Sequence, residues 1–488
     1  MNHQTLSYLA VSTLLSGAFL ANSVGAQTPA PEPAPAAAPA PVAEPAPAPV
    51  AAPAPVAEPA PVPEPPKPAT ASPQFVLSKW KVTLYGFVEF DIMRDSTQSF
   101  PESVGATLVA RSGTYAHDHS RTQFTARNSR FGVKINAPDF GEVKTTALLE
   151  LDFFGLQPPG ISSASTVSNG TFRMRQANIK VETPYVDLLV GQAYNLFGAQ
   201  PLLSPMAVSY FPLVNQVFGR QPQLRISKTF KTDPVNTEIA VAAVKPPQIN
   251  GALPDLQGGL RIGFNGWKGI HTLSAVGPQV DPLTIAVTGT ARRFRVVEFA
   301  AAPTDYNEAK GYGVAVGALL PVIPASSLDD MSNALTLNGQ FFTGTGIADQ
   351  VGVAANVPYP ALPPGANGMV PAFAPDIDPG LVTYDINGKL QTINWTGFLA
   401  GIQYYLPSGR MQVSANYSQG EANQLTADKG WGTYTTFFRK SQYFDANFFV
   451  DILPPFRVAL SYQNSTQTYA DDQKVTNHRG ELAFYCVF

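Results

Sequence analysis

Cysteine occurs once in 488 residues, at Cys486, so no internal disulfide and no thiolate metal cluster can form. Charge is also scarce. Asp, Glu, Lys and Arg make up 14% of the chain, where globular proteins usually carry about 25%. The net charge of -3 offers no basic excess for nucleic acid. Beyond the N-terminal segment there is no apolar run of the roughly 18 residues that a membrane-spanning helix needs, which argues against a helical membrane protein. What is present is 44% apolar and 11% aromatic residues. Low charge without hydrophobic helices fits a membrane β-barrel, whose apolar residues are spread one in two along each strand. A soluble all-β protein with an Ala/Pro tail is the alternative.

Residues 1–26, MNHQTLSYLAVSTLLSGAFLANSVGA, read as a secretory signal. An apolar core runs from Tyr8 to Leu20, and small residues precede a cut after Ala26. The segment has His3 but none of the usual Lys or Arg at its start. Residues 27–78 change character and read as a Pro/Ala-rich disordered linker. PAPVAEPAP stands at Pro39–Pro47 and again at Pro53–Pro61. Fixed φ angles and missing N–H donors leave polyproline II, so 28–73 could reach on the order of 140 Å. The tract is a passive spacer, or a periplasmic stalk that spans toward or binds peptidoglycan.

From residue 79 to 488 the pattern has period two. In KVTLYGFVEFDIMRD, Val82, Leu84, Val88, Phe90 and Ile92 oppose Thr83, Glu89 and Asp91. In EVKTTALLELDFF, Val143, Ala147, Leu149, Leu151 and Phe153 oppose Glu142, Lys144, Glu150 and Asp152. Many such runs exceed the 5 or so residues of ordinary strands and reach the roughly 9–11 that a tilted strand needs to cross a bilayer. Seventeen candidate strands emerge, an awkward number, because bacterial outer-membrane barrels use an even one. Short turns are expected at 136–141, 182–185, 231–234, 265–268, 407–409 and 454–455, and the Pro/Gly/Ala-rich 345–390 must lie outside. Alternation then requires one segment between 269 and 310 not to be a separate strand. The expectation assigns 283–299 partly to an external excursion or to a lengthened ninth strand. The fold class is thus all-β, a 16-stranded antiparallel transmembrane β-barrel in the cell outer membrane. In the final ELAFYCVF, Leu482, Phe484, Cys486 and Phe488 form the lipid face of the closing strand. Terminal Phe488 also resembles the signal read by the barrel-assembly machinery.

Several stretches resemble one family, the DcaP-like trimeric porins of Gram-negative outer membranes. They are VTLYGFVEFDI (82–92), RTQFTARNSRFGVKINAPDFGEVKTTALLELDFFG (121–155), FRMRQANIK (172–180), LLVGQAYNLFG (188–198), QPQLRISKTF (221–230) and GYGVAVG (311–317). The resemblance implies sixteen strands, a homotrimer, and a third loop folded into each pore. Family members often carry a helical coiled-coil segment before the barrel, where this chain has the Pro/Ala tract.

The resemblance places the inward loop at about 198–220, where Tyr210, Phe211 and Phe218 would narrow the lumen. That loop carries no charge before Arg220. Arg127, Arg130, Arg225 and Arg261 are expected to face inward, since an Arg facing lipid costs roughly 2–4 kcal/mol at the midplane. Arg173 and Arg175 join them, although their strand does not settle its own parity. Glu89, Asp91, Glu150, Asp152 and Glu238 are also expected inside. The Arg row would draw small anionic solutes, dicarboxylate-like on the resemblance, by passive diffusion. Alternatively, these charges pair across the wall and only brace it. No enzyme activity and no cofactor are expected. HDH at His117–His119 has no apparent third metal ligand. His271 and His478 have no recognisable catalytic partner. Expected partners are membrane lipid and lipopolysaccharide, small anions and copies of the chain. A second reading is a structural outer-membrane anchor holding the Pro/Ala stalk.

Overall fold

The computed structural model describes residues 74–77, 79–104, 107–155, 170–198, 208, 213–272, 279–298, 304–327, 330–352, 376–385, 387–422 and 438–488. Residues 1–26, read above as a secretory signal, and residues 28–73 lie outside them. The described wall is one antiparallel sheet of eighteen strand segments. Gln74–Leu77 folds back on the first wall strand, and two further segments are halves of one interrupted strand. Sixteen wall strands result. They are β1 (Trp80–Asp95), β2 (Arg121–Thr125 with Arg130–Asn136), β3 (Lys144–Asp152), β4 (Arg173–Glu182), β5 (Asp187–Tyr194) and β6 (Arg220–Lys231). Next come β7 (Val235–Val244), β8 (Asp255–Thr272), β9 (Gln279–Val297), β10 (Tyr306–Ile323) and β11 (Leu335–Thr345). The last five are β12 (Asn394–Tyr405), β13 (Met411–Glu421), β14 (Phe438–Leu453), β15 (Phe456–Tyr469) and β16 (Lys474–Val487).

Each strand pairs with the next, and β16 returns to β1 from Phe87↔Val487 to Asp95↔Arg479. Beyond that ladder, Gly86 N–H donates to Phe488 O at 3.0 Å and Phe488 N–H to Gly86 O at 3.1 Å. Closure removes the unpaired edge that a sheet in lipid could not tolerate.

Side chains sort as the period-two pattern requires. Val88, Phe90, Leu149, Val241, Val287 and Leu460 are exposed on the outer surface, whereas Glu89, Asp91, Glu150, Asp445 and Arg479 are buried inside. A water-soluble sheet would do the reverse, so the outer face requires lipid. No described helix is long and apolar enough to cross a membrane. One end of the barrel carries short turns and the other carries the longer connections.

The strand count of sixteen holds, and one segment between 269 and 310 is not a separate strand, as expected; the turn expected at 265–268 is absent. Asn265–Lys268 is no turn: it lies inside β8, with register shifts on either side of Lys268. Residues 269–272 extend that strand, so 269–277 is not a separate strand, and 273–278 lie outside the described residues. Residues 283–297 belong to a long ninth strand rather than to an external excursion. Asn-Gly favours hairpin turns. Here Asn265 N–H instead donates to Pro234 O and its side chain accepts from Asn236, while β9 pairs as far as Thr272. Neighbouring strands on both sides hold the segment extended.

Candidate functional site: the charged interior

Between the halves of β2 the wall breaks at Ala126–Ser129, which brings Arg127 beside the connection after β1. Its Nη1 pairs with Glu102 at 2.7 Å and its Nε donates to Phe153 O at 3.1 Å. Arg130, buried on the same inner surface, lies over the Phe87 ring with its Cζ 5.1 Å from the centroid. On β4 the register shifts opposite Glu150 and Leu151, so that Arg173 and Arg175 both reach the β3 carboxylates. Arg175 Nε meets Glu150 Oε1 at 2.7 Å, its Nη1 meets Asp152 Oδ2 at 2.7 Å, and its Nη2 donates to the Tyr194 hydroxyl at 3.3 Å. Arg173 grips Asp152 through two contacts of 2.9 and 2.6 Å. The Tyr85 hydroxyl completes the group by donating to Glu150 at 3.2 Å.

Arg220 opens β6 next to this group. Its electrostatic neighbours include Arg173, Arg175, Tyr194 and Asp152, and its guanidinium lies over Phe218 at 5.4 Å. Its Nη1 is buried and has no hydrogen-bond partner among the described residues. Arg225 is held by the Gln223 side chain at 3.1 Å and by Tyr194 O, with no carboxylate in ion-pair contact among the described residues. Arg261 pairs with Glu238 at 2.6 Å. The bracing alternative therefore describes Arg127, Arg173, Arg175 and Arg261 well, and does not describe Arg220 or Arg225.

From β14 across the seam to β1, the wall buries the carboxyl groups of Glu89, Asp91, Asp445 and Glu481. Asn416 and Asn447 each donate to Asp445 at 2.8 Å, and Gln463 donates to Glu481. The interior thus has a basic arc from β2 to β8 and an acidic arc near the seam. The acidic members Asp445 and Glu481, and the supporting Tyr85 and Tyr194, escaped the sequence reading. Extending the ELAFYCVF parity back along β16 would have placed Arg479 inside with Glu481.

The connection between β5 and β6 docks on the inner wall at every described point. Phe197 N–H donates to Gln257 Oε1 at 3.0 Å and Gly198 N–H to Thr288 Oγ1 at 3.0 Å. Gln340 accepts from Val217 N–H at 2.8 Å and donates to Gly198 O at 2.9 Å. Across the interior, Val208 N–H donates to Asn447 at 3.3 Å and Val208 O accepts from Tyr485 at 3.1 Å. Ser418 donates to Val214 O at 2.6 Å. Tyr210 and Phe211 lie outside the described residues, while Phe218 is half-buried against Tyr194, edge to face.

Above this connection the loop end holds an apolar core inside the barrel. Phe100 and Val109, Phe197 and Val217, and Ile347 and Leu381 come from three different connections and pack with wall residues such as Phe294, Phe342 and Trp395. Two buried Arg residues secure these connections. Arg479 binds Asp95 at 2.9 and 2.8 Å and donates to Pro101 O and Glu102 O. Arg292 binds Asp255 at 2.9 Å and Asp349 through both terminal nitrogens. His117 and His119 lie at a short helix, Tyr115–Asp118, between β1 and β2, bonded to Asp118 and Tyr115 O.

No family model and no curated protein matches the chain. Solved structures do. The outer-membrane channel DcaP of Acinetobacter baumannii is 18% identical, with a TM-score of 0.61, covering 86% of this chain and all of that one. OmpF of Salmonella typhi, solved in complex with daunomycin, is 9% identical with a TM-score of 0.48 over 85% of this chain and all of its own. OmpT of Vibrio cholerae in its trimer form is 10% identical with a TM-score of 0.47 over 84% of this chain and all of its own. At such identities likeness speaks for fold alone: this chain has the transmembrane barrel fold seen in the outer-membrane channel DcaP.

Proposed function

We propose that the chain is an outer-membrane porin through which small hydrophilic anions, dicarboxylate-like in charge and size, diffuse passively. The observation that carries this reading is Arg220, a guanidinium confined beside Arg173 and Arg175 whose Nη1 lacks a protein partner among the described residues. Arg225, with no carboxylate in ion-pair contact among those residues, extends the cationic surface along β6. Arg127, Arg130 and Arg261, with Glu150 and Asp152, set the position and net charge of the arc, and the 198–220 connection with Tyr210 and Phe211 narrows the path. A guanidinium stays charged at any physiological pH and offers several donors to a passing carboxylate. The fold likeness to an outer-membrane channel and the sequence resemblance to trimeric porins support location and a homotrimer. In this reading residues 1–26 are removed on export, 27–78 link the barrel toward peptidoglycan, and the assembly machinery recognises Phe488.

The test is the reversal potential of purified protein across a KCl gradient in a planar bilayer. Wild-type protein is expected to prefer anions. Arg220→Gln should lower the anion-to-cation permeability ratio by up to about five-fold, the effect of one unit charge near 4 Å at water-like screening. Cation preference in the wild type would sink the proposal, and negligible conductance would leave the barrel as an anchor for the stalk.

A further inference from the structure

The outer surface of β9 and β10 changes character abruptly along its length. On β10 the outward residues Val322, Leu320, Val316 and Val314 are exposed and apolar up to Tyr312. Ten residues separate Val322 from Tyr312, about 33 Å of strand at roughly 3.3 Å each. Tilted by about 40°, that length has a height of about 25 Å, the thickness of the apolar band of an outer-membrane barrel. Trp267 at the turn end, donating to Pro321 O, and Tyr312 at the loop end mark its two borders.

Immediately beyond Tyr312, charge appears on the same outward face. Arg293 stands opposite Lys310, and Arg295 opposite Glu308. Both guanidiniums share the one carboxylate: Arg295 Nε lies 2.7 Å from Glu308 Oε1 and Arg293 Nε 3.2 Å from Oε2. The Arg295 guanidinium also lies over the Tyr306 ring at 5.9 Å. Lys310 is exposed and has no ion-pair partner among the described residues. Three cations thus stand against one anion. The shared carboxylate orients the two Arg forks side by side while about a third or more of each side chain remains accessible. The patch begins one outward residue pair beyond Tyr312 on the same two strands, at headgroup depth, and continues the lipid-facing surface without a break.

We propose that Arg293, Arg295 and Lys310 form a docking site for a phosphomonoester on a glycolipid of the outer leaflet, whose acyl chains lie along Val314, Val316 and Val287. Paired Arg forks match phosphate oxygens, and Lys310 supplies a third donor group. The acyl chains and the phosphate then meet the apolar and cationic parts of one continuous surface. The site rests on the outer-membrane location proposed above and is independent of what passes through the interior.

The test uses the full barrel in nanodiscs doped with bisphosphorylated lipid A, with phosphate-free lipid A, or with phosphatidylglycerol. Wild-type protein should bind the bisphosphorylated form on the order of tenfold more tightly than the phosphate-free form, as expected when two or three basic residues each contribute near a charged membrane surface. Arg293→Gln/Arg295→Gln/Lys310→Gln should lose that preference while keeping its ion selectivity. Equal binding of both lipid A forms by wild-type protein would overturn the proposal, and this arm needs no variant. Equally tight phosphatidylglycerol would overturn the glycolipid assignment. A triple variant that keeps the phosphate preference but changes oligomeric mass would mark the face as a subunit contact instead.

Discussion

Arg479 and Asp95 are both fully buried on the inner wall, and each satisfies the other through two contacts. Removing one partner strands a charge in a site built for two, a loss of about 3–5 kcal/mol in comparable pairs. Arg479→Met should lower the urea midpoint of the purified barrel by a corresponding amount, and adding Asp95→Asn should restore part of it. Equal midpoints for the single variant and wild type would show that water already solvates the pair. Arg479 also holds Pro101 O and Glu102 O, so the single variant should speed amide exchange in residues 99–104 more than elsewhere. Residues of this kind were partly legible in advance. The parity that placed Glu150 and Asp152 inside works because lipid penalises the alternative at every second position. It could not say which Arg finds a carboxylate, since Arg175 and Arg220 differ only in what the neighbouring strand brings near them.

At the scale of elements, the loops carry the information that periodicity lacks. Phe197, Val217, Ile347 and Leu381 are apolar residues without alternation, and their common core forms only when three connections fold into the same barrel end. Where it is described, at residues 198, 208 and 213–217, the connection expected from the resemblance to fold inward meets the inner wall, but its anchors were not foreseen, because Gln340, Asn447 and Tyr485 look like any other inward polar or aromatic position. Gln340 satisfies both Val217 N–H and Gly198 O. Gln340→Leu leaves two buried backbone groups unpaired, at about 1–3 kcal/mol each. The connection should loosen, seen as higher open-channel noise in planar bilayers with little change in barrel melting; unaltered noise would mean the other anchors suffice. A second latch joins Arg111, before β2, to Asp471, after β15. The Arg111 guanidinium holds the Asp471 carboxyl below its ordinary range. Its contribution is complete above the unfolded carboxylate value near 4 and disappears as pH falls through the lower folded value. Protection of the amides at residues 107–115, relative to their intrinsic exchange rates, should therefore fall below about pH 4, and Asp471→Asn should show the lower protection already at neutral pH. Protection that does not change with pH in wild-type protein would remove the latch from the account.

For the whole molecule, closure is the constraint that turns local alternation into a single architecture. The count of sixteen was legible because an open edge in lipid is too costly, even though Asn265–Lys268 was misread as a turn. The seam itself depends on Gly86, whose φ of +154° and close approach to Arg130 O leave only 2.2 Å for a Cβ. Gly86→Val should reduce the yield of heat-resistant folded barrel, since the backbone must shift where Phe488 closes the cylinder. A yield equal to wild type would show that the seam forms without this geometry. The Pro/Ala tract should matter far less. Every described wall strand starts at Trp80 or later, and the small strand Gln74–Leu77 pairs with Trp80–Thr83 of β1. Proline-rich chain cannot supply ladder donors to β1, whose pairing is completed by β2, β16 and Gln74–Leu77. Deleting residues 28–73 should then leave the melting of the barrel within the roughly 0.5 kcal/mol expected of a change remote from the core, and leave its ion selectivity intact. A truncated chain that fails to assemble would make the tract part of the folding machinery, and the division at residue 79 would have to be redrawn.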